Sequence, residues 1–242
     1  MTRSLENDRA STLRALRELC RNPADWTSSE PRSRVSMGIP ALDRLIPGGG
    51  LECGSLVEWL TPVDGCGAAT LAMHGVLPAL ERGGLWVIVD PLREFYPPAV
   101  RSCGISVESL LLLHPTSIGD IAWTVEQCLR CPAVGTTWIQ TEKLPDRVLQ
   151  RWKKSAEIGG GIGVLFRPAC TRRQPSWADL RWLVTPCPGD TAPRRRLCVE
   201  LLTCRVTLTG ASVELDVSDA TGDVRLVSAM AGATEPVQAT GA

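Results

Sequence analysis

The stretch "TPVDGCGAATLA", Thr61–Ala72, decides the fold. It follows the apolar run "GSLVEWL" (54–60) and leads into a helical pattern, so it reads as strand, glycine-bearing turn, helix. That order sets backbone N–H groups at the start of a helix, where an anion can be held. The phosphate-cradling loop of nucleotide-hydrolysing proteins has the pattern G-x-x-x-x-G-K-[ST], with a lysine for the phosphates and a hydroxyl for magnesium. Here Gly67 stands at the glycine of the closing pair, and Ala68 and Ala69 follow it. The stretch therefore predicts the scaffold of a phosphate loop without its chemistry.

Working outward, short apolar runs recur at 54–60, 85–90, 109–113, 135–140 and 162–167. Helical patterns near 68–82, 93–103, 117–131 and 145–157 separate them. This alternation predicts an α/β core with a mostly parallel sheet and helices on both faces. After residue 170 the runs "LRWLVTP", "RRLCVELLTCRVTL", "SVELDVSD" and "VRLVSAM" leave no room for helices and predict an antiparallel C-terminal edge, with "LTGAS" and "DATGD" as hairpin links. Residues 1–34 read as an N-terminal helix and linker, 35–230 as the core, and 231–242 as a small, polar, disordered tail.

The 242 residues suffice for one substantial core. Lys+Arg and Asp+Glu both number 26, giving a formal net charge of +0, which argues against a nucleic-acid binder relying on bulk charge. No apolar run is long enough to cross a bilayer. The start of the chain lacks the apolar stretch of a secretory signal, so a cytoplasmic location without a membrane partner is expected. Ten cysteines are scattered through apolar segments. Only Cys128 and Cys131 have C-x-x-C spacing, with no second pair to complete a zinc site, so packing thiols and no metal centre are expected.

From Val35 the features come in a fixed order: "G-x-x-x-L-D", the turn "PGGGL", the strand "GSLVEWL", then the loop and helix. This order resembles the RecA-type ATPase core. More narrowly it is similar to ImuA, the RecA-like accessory protein of bacterial mutagenic translesion synthesis, from about Val35 to about Met230. The resemblance implies a P-loop-NTPase-type core and puts Thr61 at the first glycine of the loop, Ala68 at the phosphate lysine and Ala69 at the magnesium hydroxyl, with Thr70 displaced by one. It puts Leu92 at the catalytic glutamate, Gln140 at the Walker B aspartate, and Arg167 and Pro168 where a glutamine senses the γ-phosphate. With those roles missing, the expectation is no catalysis and no ATP cofactor, Gly65 and Gly67 serving only the turn.

The resemblance further implies a scaffold acting in the DNA-damage (SOS) response. Its partners would be an ImuB-like polymerase-like protein and an error-prone replicative-type polymerase, and RecA is a further candidate partner. A working recombinase, or a division-inhibitor-like regulator of another filament protein, are the alternatives. Leu13, Leu16 and Leu19 form an apolar stripe that docks on a partner or folds back on the core. Arg172 and Arg173, with Trp177 nearby, are candidates for a weak DNA contact or a solvated loop. His74 and His114 lack neighbouring nucleophiles and read as structural. Of eight tryptophans, Trp59, Trp86 and Trp138 read as core; Trp26, Trp123, Trp152, Trp177 and Trp182 either hold an exposed subset suited to docking or are partly buried in the core.

Overall fold

The computed structural model describes residues 33–81, 84–102, 104–142, 144–187, 194–204, 207–218 and 221–230. Leu13, Leu16, Leu19, Trp26 and the tail from 231 lie outside them.

The "PGGGL" turn and the Leu-Asp motif form the entrance to the core. Strands β1 (Arg34–Val35) and β2 (Leu51–Glu52) pair antiparallel around the short helix α1 (Pro40–Asp43). The motif aspartate has a plain structural use: Asp43 accepts the Met37 N–H at 2.8 Å and the Ser36 hydroxyl at 2.6 Å, closing the turn before α1. Gly50 has φ 68°, and a Cβ there would stand 2.5 Å from the Val35 carbonyl, so only glycine lets the returning chain pair with β1.

The elements that follow are β3 (Leu56–Thr61), α2 (Ala68–His74), α3 (Val76–Leu80), β4 (Leu85–Val89), α4 (Pro98–Ser102), β5 (Leu110–Leu113), α5 (Ile118–Arg130), β6 (Val134–Gln140), α6 (Asp146–Gly159) and β7 (Ile162–Pro168). Four more strands complete the chain: β8 (Leu180–Pro186), β9 (Arg194–Cys204), β10 (Thr207–Ser218) and β11 (Val224–Met230). They form a nine-stranded sheet in the order β11-β10-β9-β8-β3-β7-β6-β4-β5. From β8 to β5 all neighbours are parallel; β9, β10 and β11 add antiparallel pairs. The expected α/β class, mostly parallel with an antiparallel edge, is the one observed.

The sheet is covered on both faces. Leu71, Ala72, Val76 and Val100, from α2, α3 and α4, pack with Val57, Trp59 and Trp182. On the other face Val125, Leu129, Leu149 and Trp152, from α5 and α6, pack with Leu56, Val87 and Leu165. Alternation within β3 sends its residues to the two faces in turn, which is why this strand is apolar on both sides. Gly163 of β7 lies where α5 comes closest: a Cβ would meet Leu56 Cδ2 at 2.3 Å and Leu129 Cδ2 at 2.9 Å.

Two expectations are corrected and one alternative is resolved. The run "LRWLVTP" is β8, which pairs parallel with β3 rather than opening the antiparallel edge. Residues 169–179 supply the crossover as a 3-10 turn (Ala169–Arg173) and loop, a path that carries no helical period for the sequence to reveal. The "LTGAS" link lies inside β10: the register shifts between Leu208 and Ala211, so Gly210, at φ 60°, belongs to a bulge rather than a hairpin turn. Trp152 and Trp182 are fully buried, leaving Trp123 and Trp177 as the exposed tryptophans among the described residues. Two smaller differences concern helices: the one expected over 68–82 divides at Gly75, and the one over 93–103 shortens to α4.

Beneath the 3-10 turn lies a buried ionic triad. Glu58, fully buried in the middle of β3, receives Arg167 Nη1 at 2.7 Å from β7 and Arg181 Nε from β8. Arg181 also donates to the carbonyls of Thr171, Arg172 and Gln174, and Arg167 to Gln174 Oε1 at 3.1 Å. At the other end of β3, Asp179 accepts the Leu56 N–H at 2.8 Å and Lys153 Nζ of α6 at 2.6 Å. Removing the carboxylate from the triad leaves two buried guanidinium groups uncompensated. A Glu58→Ala chain is therefore expected to lose about 3–5 kcal/mol of stability. Urea unfolding followed by tryptophan fluorescence measures this, and an unchanged midpoint contradicts the role given to Glu58.

Candidate functional site

The loop from Pro62 to Gly67 joins the end of β3 to α2, at the edge where all the parallel strands end. Gly65 has φ 73° and Gly67 φ 100°, both in the left-handed region, so the turn requires glycine at each irrespective of any ligand. A Cβ on Gly67 would lie 2.8 Å from Leu197 Cδ1 of β9. The loop is therefore clasped by the antiparallel edge. From the same strand Arg195 Nη1 donates to the Gly65 carbonyl at 3.1 Å. Beside it lies a cleft of about 560 Å³, lined by the ends of β3, β4, β6 and β7, the loop after β4, and Arg195.

The cleft brings together every position that the resemblance assigns to nucleotide chemistry. Ala68 is buried at 2% exposure at the start of α2, Ala69 is exposed, and Thr70 is half-buried. Leu92 is 68% exposed at the cleft mouth, and Gln140 is exposed at the end of β6. None of the four non-threonine positions carries a charge. Asp90, the nearest carboxylate to Leu92 in sequence before Glu94, is committed to its own loop: it accepts the Glu94 and Phe95 N–H groups at 3.1 and 3.0 Å. Arg167 and Pro168 do line the cleft, but the Arg167 guanidinium is held by Glu58 and Gln174.

The other candidates lie elsewhere. Arg172, Arg173 and Trp177 do not line the cleft. Arg172 pairs with Glu200 of β9 at 2.8 Å, while Arg173 and Trp177 are exposed on the crossover. His74 ends α2 with Nε2 2.8 Å from the Gly222 carbonyl, and His114 Nδ1 lies 2.6 Å from the Asp90 carbonyl, both structural contacts. Two features escaped the sequence reading. Arg195 alternates with Leu197, Val199 and Leu201, a pattern that places it on the inward face of β9. The aromatic floor of the cleft was legible only in part, because Phe95, Trp138 and Phe166 come from three separate segments.

Burial raises the thiol of Cys66 in the loop, with Arg195 only partly opposing it, and pushes Cys128 at the end of α5 up to about 12, helped by Cys131. A raised pKa means less thiolate, so at pH 8 both thiols are held in the protonated form. Cys170 is exposed on the 3-10 turn. Iodoacetamide at pH 8 is therefore expected to label Cys170 well before Cys66 or Cys128, as read by peptide mass spectrometry. Preferential labelling of Cys66 contradicts the buried, protonated state. No group of three or more metal-ligating side chains occurs among the described residues, and no described helix is long and apolar enough to cross a membrane.

No family profile matches the chain. It is similar to "Protein RecA" of Chlorobaculum tepidum, 34% identical over 100 residues, which is 41% of this chain and 29% of the relative. It is similar to "Protein RecA" of Rhodopirellula baltica, 30% identical over 129 residues, 53% of this chain and 32% of the relative. A chloroplast protein of Arabidopsis thaliana, "DNA repair protein recA homolog 1", is 32% identical over 130 residues, 53% of this chain and 27% of the relative. The chain thus spans about a third or less of the length of these curated relatives. The similarity is confined to stretches of 100 to 130 residues, and the α/β architecture described above is consistent with a RecA-like core.

Proposed function

We propose that the chain is a non-catalytic, RecA-like accessory protein in DNA-damage-induced mutagenic translesion synthesis, similar in role to ImuA and assembling a polymerase complex. One observation carries the reading: Ala68, Leu92 and Gln140 border a single cleft, and none supplies the charge its position would need. Phosphoryl transfer depends on cations at the β- and γ-phosphates and on a carboxylate-held magnesium. An alanine methyl, an exposed leucine and a carboxamide do neither. The likeness to RecA proteins supports a place in DNA repair. The ImuB-like protein and an error-prone replicative-type polymerase are the proposed partners, in the cytoplasm, with Leu13, Leu16 and Leu19 as one docking stripe.

The expected result is no ATP hydrolysis above background and no micromolar binding of ATP–magnesium by calorimetry. Ala68→Lys alone is expected not to restore turnover, since Leu92 and Gln140 remain. Turnover by the unaltered chain contradicts the reading. In parallel, the chain is expected to co-purify with the polymerase-like partner. A Leu16→Asp substitution in a docking stripe is expected to abolish co-purification with little change in melting temperature. A lowered melting temperature instead assigns the stripe to the chain's own core.

A further inference from the structure

The cleft lacks the groups that hold a triphosphate, yet it is neither closed nor filled. Its volume of about 560 Å³ lies in the range of sites that take a small ligand or a peptide side chain. Three kinds of group line it. Phe95, Trp138 and Phe166 form an aromatic wall, with Trp138 packed edge-on to Phe166 at 5.1 Å. Val63, Leu92 and Tyr96 line its rim at 59%, 68% and 68% exposure, an unusual grouping of large apolar side chains left in solvent. Four carboxylates, Asp64, Asp90, Glu94 and Glu142, complete the lining against two guanidinium groups. Of those two, Arg167 is paired with buried Glu58, and Arg195 is hydrogen-bonded to the Gly65 carbonyl.

This combination selects a ligand. Carboxylates repel a nucleotide's phosphates and attract a cation, aromatic faces attract cations through their quadrupole, and an apolar rim suits the methylene stem of a long basic side chain.

We propose that this cleft docks an arginine or lysine side chain from an extended basic segment of a partner protein. The inference rests on the accessory-protein reading, because it turns a vacated nucleotide site into the place where a partner is held. Charge complementarity singles out the occupant: the exposed charges of the cleft mouth, Asp64, Glu94 and Glu142, are negative and outnumber the one half-buried cation beside them, Arg195.

The test uses the full-length chain and a fluorescein-labelled hexapeptide, Leu-Arg-Lys-Arg-Leu-Gly, read by anisotropy, beside a counterpart with glutamates in place of the basic residues. Micromolar binding of the basic peptide alone is expected, weakening as salt rises. The Glu94→Lys, Glu142→Lys chain is expected to bind roughly tenfold more weakly or worse, since attraction becomes repulsion at two rim positions. Should that chain melt early, Glu94→Gln with Glu142→Gln removes the same charges without adding new ones. Equal binding of both peptides, unchanged binding by the variants, or displacement by micromolar ATP–magnesium overturns the inference. So does a gain in peptide affinity on deleting residues 1–32, which would make the chain's own N-terminal segment the occupant. A dimer in sedimentation that the charge reversal dissociates would make a second copy the occupant and overturn it too. Failure of the accessory reading is separate: it shows as ATP turnover or as absent co-purification, whatever the peptide does.

Discussion

Glu58 sits in the middle of the central strand and ties both of its neighbours to it. Its carboxylate takes Arg167 from β7 and Arg181 from β8, and those two guanidiniums fasten the crossover of residues 171–174. A charged triad in a sheet core is not an efficient source of stability, since desolvation offsets much of the Coulomb gain. What it provides is register. Slipping β7 or β8 by one residue would turn an arginine to the wrong face and strand the carboxylate. With β8 fixed beside β3, the antiparallel edge follows, and β9 brings Leu197 and Arg195 against the remnant loop.

That placement accounts for the shape of the loop by packing within the chain, whatever the loop binds. In this chain the loop is supported from the side by Leu197 against Gly67 and by the Arg195 guanidinium donating to the Gly65 carbonyl, so both glycines keep their conformations for structural reasons. Ala68, Leu92 and Gln140 border the cleft beside it, and the wall and rim are aromatic, apolar and acidic. The site retains its concavity with a reversed electrostatic preference.

The parallel core was legible because short continuous apolar runs alternate with helical patterns between residues 54 and 167, as strands buried on both faces require. The loop was legible because two glycines follow a strand and precede a helix. What sequence did not reveal has one physical origin: pairing direction and side-chain partners depend on distant segments. "LRWLVTP" carries the same local pattern in either pairing direction, and its contacts to β3, Asp179 to Leu56 and Arg181 to Glu58, join segments more than a hundred residues apart. A Thr-Gly pair marks a turn or a bulge with equal propensity, and in β10 it is a bulge. Glu58 and Arg167 are 109 residues apart, so neither residue's local context signals a buried pair.

The central claim is that this cleft keeps a nucleotide site's shape while preferring basic groups to phosphates. Two-dimensional NMR of the ¹⁵N-labelled chain tests it directly, following the Trp138 indole N–H, assigned with Trp138→Phe, and the Gly65 and Gly67 amides. The account predicts that a basic peptide shifts the Trp138 signal in a saturable way and that millimolar ATP–magnesium leaves all three unmoved. Saturable shifts of the loop glycines with micromolar ATP–magnesium, and none of Trp138 with the peptide, would contradict it.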